Sequence, residues 1–365
     1  MAIKQYRLKR FGPPGTGKTT TTLRDIEAAL ADGIPPQAIG YLTFTRNAAE
    51  EGRARMQAKF GFGDSDMPYA RTIHSLCYRW LGLNPERVVP SGRLREWGEQ
   101  QGWEFAQTSY AEDYGAGEVK LGDWLLGCYD YARNKMTRDL ARVIRECGIH
   151  PDLAGDPVVE LEEFIRRYER FKAANDWVDF ADMLTRALAG GITIPVVNLY
   201  VDEAQDLSPL QHAVIDSLQR ACAAVTLAGD DDQAIMLFQG AEPELLLNWP
   251  ATEVEVLSKS WRLSRQVHRL AQAIITQNRR RQSKVFTCRD EDGSLNYAED
   301  LRDLPLDEDD GSWMILARNR RFLWPLAQDL MEQGVPFVNR RGFSPLEKPK
   351  VVAAAAALDA LAKGE

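Results

Sequence analysis

With 365 residues, 44% hydrophobic and 27% charged, the chain has the composition of a globular protein long enough for two domains, or for one domain with a large insertion. A net charge of −8 argues against a general nucleic-acid glue, and five scattered cysteines (Cys77, Cys128, Cys147, Cys222, Cys288) suit reduced core thiols better than a zinc site or a disulfide framework. The longest apolar stretch, residues 351–358, is too short to span a bilayer, and Lys4, Arg7, Lys9 and Arg10 lead into a glycine-rich loop rather than an apolar secretory core, so a cytoplasmic protein without a membrane partner is expected.

In chain order, the first strong signal is G-P-P-G-T-G-K-T at 12–19, which satisfies the full G-x-x-x-x-G-K-[ST] phosphate-binding pattern and is followed by a helical pattern. Gly12, Pro13, Pro14, Gly15, Thr16 and Gly17 form a loop whose backbone N–H groups can point at a β-phosphate, and Thr20 belongs to the helix start that adds partial positive charge. Lys18 would neutralise the β/γ oxygens. Thr19 would offer its hydroxyl to Mg²⁺, a hard cation that accepts few protein ligands.

Short apolar runs at 39–44, 196–201, 225–228, 254–257, 313–317 and 335–338 read as strands, and the helical patterns between them predict a parallel α/β core. Between about 85 and 175 the strand signals vanish, while Leu161, Phe164, Ile165, Tyr168 and Phe171 recur at helical spacing. This is a helical insertion, whose role as a DNA-facing subdomain or a packing lid the spacing leaves open. The run at 196–201 ends abruptly in Asp202-Glu203-Ala204-Gln205-Asp206, a buried parallel strand delivering acids at its C-terminal edge. In a P-loop enzyme Asp202 would hold Mg²⁺ through water and Glu203 would orient and deprotonate the attacking water; a helix cap with a charged turn is the plainer reading.

Trp249-Pro250 reads as a hinge into a second α/β unit. Residues 259–289 carry nine basic residues and no acid, whereas 290–310 carry ten acids and one base, Arg302. The basic run either tracks a phosphate backbone or is a solvated face neutralised by the acidic loop. The Ala-rich stretch 351–362 is helical by propensity.

Taken together, these segments resemble the UvrD/Rep/PcrA-type helicases of superfamily 1. The P-loop is similar to motif I, Y-L-T-F-T-R-N-A-A-E at 41–50 to motif Ia, and R-T-I-H-S-L at 71–76 to the family's T-x-H-S segment. V-D-E-A-Q-D at 201–206 looks like motif II, A-G-D-D-D-Q-A-I at 228–235 like motif III, and S-W-R-L-S at 260–264 like motif IV. D-F-A-D-M-L at 179–184 resembles the stretch with which the family re-enters its first core domain.

The resemblance implies a P-loop RecA-like parallel-sheet domain at 1–84 and 176–250, a helical insertion at 85–175, and an incomplete second RecA-like domain at 251–365. It implies an ATP-dependent DNA helicase or translocase using ATP and Mg²⁺, acting on single-stranded DNA or a single-strand/duplex junction with 3′-to-5′ polarity. Lys18, Asp202 and Glu203 would be catalytic. Gln233 would sense the γ-phosphate, Trp261 would stack on adenine and Arg262 would reach the γ-phosphate. Without the resemblance, Gln233 reads as a turn-capping amide, Trp261 as a core aromatic and Arg262 as a surface charge. On the DNA side it implies Phe44, Thr45, Arg46 and Asn47, then Thr72, His74 and Ser75, and Phe238. Phe44 read alone is equally the last core residue of its strand, and His74 a structural histidine.

Three departures from the family pattern set further expectations. Eleven residues precede Gly12, so the family's adenine-reading glutamine segment is expected to be missing or replaced, Gln5 lying too close to the P-loop to substitute. Phe238-Gln239 stands where a tryptophan-arginine pair is common. No stretch resembles motif V or the arginine-bearing motif VI, so the second core domain is expected to be half present, and a missing transition-state arginine costs about 10³ to 10⁵ in rate. The rival expectation is a nucleotide-gated single-strand DNA-binding subunit completed by a protein partner in trans. A helicase-nuclease motor is a weaker third, since no clustered carboxylates beyond Asp202 and Glu203 suggest a nuclease.

Overall fold

The apolar-basic run before the P-loop folds as β1 (Tyr6–Phe11), and the loop feeds directly into α1 (Lys18–Ala31). The computed structural model describes residues 5–63, 65–106, 119–300, 304, 312–317 and 322–338. Next come β2 (Ile39–Thr43), α2 (Arg46–Phe60), β3 (Ala70–Thr72) and α3 (Ile73–Trp80). The insertion follows as α4 (Ser91–Gln101), α5 (Leu121–Asn134), α6 (Leu140–Cys147) and α7 (Pro157–Asn175). The chain then returns through α8 (Phe180–Ala189), β4 (Asn198–Val201), α9 (Pro209–Leu218) and β5 (Ala224–Gly229), before α10 (Pro243–Asn248), β6 (Glu253–Val256) and α11 (Arg265–Ile275).

The six strands make one parallel sheet in the order β3-β2-β4-β5-β1-β6. Strand periodicity divides β2 and β4 between two cores. Ile39, Tyr41 and Tyr200 face the layer holding Leu23 and Ile26 of α1 and Met56 of α2. Leu42, Leu199 and Val201 face the layer holding Ile73 of α3, Leu184 of α8 and Val214 of α9. Such a sheet, covered on both sides, is the α/β layer architecture expected from alternating strands and helices.

The insertion has its own core of Trp97, Trp103, Leu125, Tyr129, Phe164 and Tyr168, so its helices do not merely lean on the sheet. Its link to α8 is ionic. Asp179 caps α8 in a reciprocal box with Asp182. Both aspartates accept from the buried Lys172 of α7 at 2.6 Å, and Arg133 of α5 reaches Asp182 at 2.9 Å. The D-F-A-D string therefore serves as a cap and an ionic staple.

Two expectations about the C-terminal region change. Trp249-Pro250 does not lead into a separate unit: Trp249 is buried in the main core, and the chain turns back so that the Thr252 N–H donates to Arg7 O at 2.8 Å. The strand run at 254–257, which falls in the stretch expected as the second domain, is β6, paired with β1 from Leu8↔Glu253 to Phe11↔Val256, because β1 has a free edge there to satisfy. The unit containing the sheet comprises Met1–Phe105 and Leu121–Leu295, so its boundary falls well after residue 250. The second unit takes Ala106–Lys120 and Asn296–Glu365, and its described helix is α12 (Leu323–Glu332), with Leu326 and Leu330 buried. Residues 313–317 and 335–338, expected as strands, pair with no strand among the described residues, and pairing is what defines a strand. The helix expected at 351–362 lies outside the described residues.

Candidate nucleotide-binding site

Three sequence motifs lie at the carboxyl ends of neighbouring strands, after β1, β4 and β5, where open parallel sheets place their ligand crevice. After β1, Gly15 and Gly17 take φ of +72° and +84°, a conformation that keeps the loop curled and that other residues adopt only with strain. The Lys18 ammonium folds back over the loop, donating to Gly12 O at 3.1 Å and standing 3.7 Å from Glu203 Oε2. Gly12, Pro13, Pro14, Thr16 and Thr20 complete the loop and first helical turn, with Thr16 Oγ1 tied to Pro13 O at 2.7 Å.

Thr19 Oγ1 donates to Asp202 Oδ2 at 3.1 Å, joining the start of α1 to the end of β4 across 183 residues of sequence. Asp202 is 3% exposed, and its Oδ1 accepts the Glu203 N–H at 3.0 Å. Glu203 has φ of +52°, rare for a residue with a side chain, and this kink aims its carboxylate back toward Lys18. A hydroxyl and a carboxylate side by side at a phosphate loop are the hard oxygen donors that Mg²⁺ prefers. Among the described residues no cluster of three or more His, Cys, Asp or Glu side chains forms a self-sufficient metal cage. The pair suits a cation that takes its other ligands from phosphates and water.

The loop after β5 is wired to these acids. Gln205 Nε2 donates to Glu203 Oε2 at 2.9 Å, while its Oε1 accepts the Asp230 N–H at 2.9 Å. Gln233 Nε2 donates to Asp230 Oδ2 at 2.6 Å, so the predicted γ-phosphate sensor sits one carboxylate away from the motif II network. Asp206 is pushed up to about 6 by burial and by the neighbouring Glu203.

Sequence reasoning missed what balances the three aspartates. Lys284, 1% exposed, donates to Asp230, Asp231 and Asp232 at 2.6, 2.5 and 2.8 Å, and Arg281 pairs with Asp232 at 2.5 Å. These belong to the basic run, and two further members, Arg265 and Arg289, pair with Asp290, Asp292 and Glu291. For Arg265 and Arg289 the reading of a face neutralised by the acidic loop holds, whereas Lys284 and Arg281 are neutralised by the aspartates after β5 and Lys284 is buried. Nothing in the sequence marks Lys284 as buried.

The S-W-R segment docks on the P-loop itself. Trp261 N–H donates to Gly15 O at 2.9 Å and Ser260 Oγ to Pro14 O at 2.7 Å, and a Cβ on Gly15 would strike Arg262. The Trp261 ring is 67% exposed, with Lys259 Nζ 4.2 Å from its centroid, so it is not the core aromatic that composition alone suggests. Arg262 is also exposed. Gln5 lies at the opposite end of β1, donating to Cys222 O at 2.7 Å, and is remote from the loop.

Of the residues assigned to DNA, Phe44 to Asn47 follow β2 and Thr72, His74 and Ser75 lie at the junction of β3 and α3, whereas Phe238 lies in the loop after β5. Thr45 caps α2 through Ala48 N at 3.1 Å, and Arg46 and Asn47 are exposed in the first turn. Thr72 caps α3 through Ser75 N at 3.2 Å, and His74 follows it. Because β2 and β3 pair with Thr43 opposite Thr72, the two helix N-termini stand side by side. Burial and the nearby Arg46 push His74 down to about 4, which keeps it neutral near pH 7. Its ring meets Phe180 edge-on at 5.8 Å, and Phe180 is an exposed ring that the sequence reading did not select. Phe238 is exposed beside Ile235 and Leu237, whereas Phe44 is half-buried against the main core.

Comparison with known proteins adds independent findings. The family described as UvrD/REP helicase N-terminal domain matches residues 11–252. The chain is similar to the ATP-dependent DNA helicase PcrA of Bacillus subtilis, 24% identical over 78% of this chain and 39% of the relative. It is similar to UvrD2 of Mycobacterium tuberculosis, 28% identical over 73% and 41%, and to DNA helicase II of Escherichia coli, 26% identical over 80% and 41%. The chain thus spans about two fifths of the length of these curated relatives.

Proposed function

This chain belongs to the UvrD/REP helicase N-terminal domain family, and from that membership we propose that it carries the nucleotide and single-strand DNA sites of an ATP-dependent DNA helicase or translocase. The observation that carries this reading is the Thr19–Asp202 hydrogen bond, which brings the P-loop hydroxyl and the first motif II acid to one point. ATP is the substrate, Mg²⁺ its companion and 3′-to-5′ the direction of travel.

The chemistry follows from the residues present. Backbone N–H groups of the P-loop receive the phosphates, and Lys18 exchanges its Gly12 and Glu203 partners for β/γ oxygens. Thr19 and Asp202 would hold Mg²⁺, which supplies charge neutralisation between those oxygens when bound. Glu203, steadied by Gln205, orients a water and accepts its proton. Gln233 reads the γ-phosphate through the Asp230 network, Arg262 stabilises the charge spreading on the transferred phosphoryl group, and Trp261 offers its exposed face to adenine. The paired N-termini of α2 and α3 receive DNA phosphates, with Phe238 and Phe180 as stacking surfaces and the 85–175 insertion as an accessory subdomain.

Steady-state ATP hydrolysis by the purified chain, with and without oligo-dT, tests this reading. DNA-stimulated turnover that Glu203→Gln abolishes without weakening nucleotide binding is expected, as is loss of binding in Lys18→Ala. Nucleotide and DNA affinities indifferent to Lys18→Ala would sink it. Lys18-dependent nucleotide binding that alters DNA affinity without turnover would favour a nucleotide-gated single-strand binding subunit instead.

A further inference from the structure

Tyr41 lies inside β2, on the face covered by α1 and α2, and is 1% exposed. A phenol buried that deeply must find an acceptor for its proton. It donates to Asp202 Oδ2 at 2.9 Å, the same oxygen that accepts from Thr19. Tyr41 faces Tyr200 across the β2–β4 ladder, two residues before Asp202, and the phenol reaches along β4 to the carboxylate at its end.

Its ring has a prepared seat. α2 crosses it at Gly52, and a Cβ there would collide with the Tyr41 ring at Cε1. A glycine in a helix interior carries an intrinsic penalty, and here close approach of ring and helix backbone gives its reason.

Counting lone pairs shows what the phenol does. Each carboxylate oxygen has about two acceptor sites. Oδ2 spends both, on Tyr41 and Thr19, while Oδ1 spends one on the Glu203 N–H and keeps one. We propose that Tyr41 is a positioning residue that saturates Asp202 Oδ2 and thereby presents Oδ1 to the hydrated cation that accompanies the nucleotide. This rests on the reading above that Thr19 and Asp202 serve a metal–nucleotide complex. Tyr41 touches neither nucleotide nor cation and acts through the carboxylate.

The test is ATP binding by the full chain, titrated with Mg²⁺ and followed by calorimetry, with metal-free ATP affinity and thermal midpoint as controls. Tyr41→Phe keeps the ring in its seat and removes the proton. It should raise the Mg²⁺ concentration for half-maximal enhancement of ATP binding about tenfold, the usual scale for losing an outer partner of a ligating group, while metal-free affinity stays put. Gly52→Ala, which pushes the ring away, should shift the Mg²⁺ requirement in the same direction. Asp202→Asn separates the two claims. If it removes the Mg²⁺ enhancement while Tyr41→Phe leaves the requirement unchanged, the role of Tyr41 is overturned and the metal reading stands. If Tyr41→Phe weakens ATP binding equally with and without Mg²⁺, Tyr41 is a packing residue only. If Asp202→Asn leaves the enhancement intact, the metal reading falls and the inference with it.

Discussion

A ring that stacks on a base must be both reachable and replaceable, and the three phenylalanines Phe44, Phe180 and Phe238 differ in this respect. Phe238 and Phe180 are 53% and 56% exposed, so truncating either removes less packing than truncating a buried ring. Phe44 leans on the core beneath β2, so its truncation costs burial whatever it does for DNA. Phe238→Ala and Phe180→Ala are therefore expected to weaken oligo-dT binding by about 1 to 3 kcal/mol each with unchanged thermal midpoints. Phe44→Ala should lower the midpoint as well. Fluorescence anisotropy beside thermal melts separates the cases, and unchanged oligo-dT affinity in both exposed-ring variants would rule out stacking on either ring.

Elements joined by a few buried charges are only as secure as the weakest neutralisation. Lys172 of α7 faces Asp179 and Asp182 of α8, with its side chain 3% exposed. Lys172→Met would leave Asp179 without its cation and Asp182 with Arg133 alone, and a loss of about 3 to 5 kcal/mol is expected from unpairing a buried ion pair. Urea unfolding followed by far-ultraviolet dichroism measures it; an unshifted midpoint would show that water already reaches the pair. The same staple illustrates which elements were legible in the sequence. Strands β2, β4 and β5 announced themselves as apolar runs, and the P-loop, D-E-A-Q-D and D-D-D-Q segments emerged at adjacent strand ends because motif and strand are contiguous in the chain. β3 was missed because it has three residues, one of them Arg71. β6 was recognised as a strand, but its partner was not, since pairing across 245 positions leaves no local trace. Lys284 and Tyr41 escaped for a related reason, each being defined by carboxylates far away in sequence, and Lys172, whose acids lie only one helix on, escaped because composition describes a lysine as surface.

At the scale of the whole molecule, a chain of net charge −8 can hold a polyanion only by concentrating cations where the strand runs. The long basic run was one place to look. Its Lys284 and Arg281 are consumed by Asp230, Asp231 and Asp232, where they brace the loop carrying Gln233, and Arg265 and Arg289 face their own acidic partners. The α2–α3 edge instead combines two helix N-termini with the exposed Arg46. Each phosphate neutralised on a single strand contributes about −0.7 to the slope of log K against log salt. Arg46→Gln should accordingly make the slope for oligo-dT shallower by about that amount, whereas Arg281→Gln should leave it unaltered, its charge being spent on Asp232. Slopes measured between low and moderate salt for both variants decide the matter. A shallower slope in Arg281→Gln with none in Arg46→Gln would move the DNA path to the basic run and away from the helix N-termini.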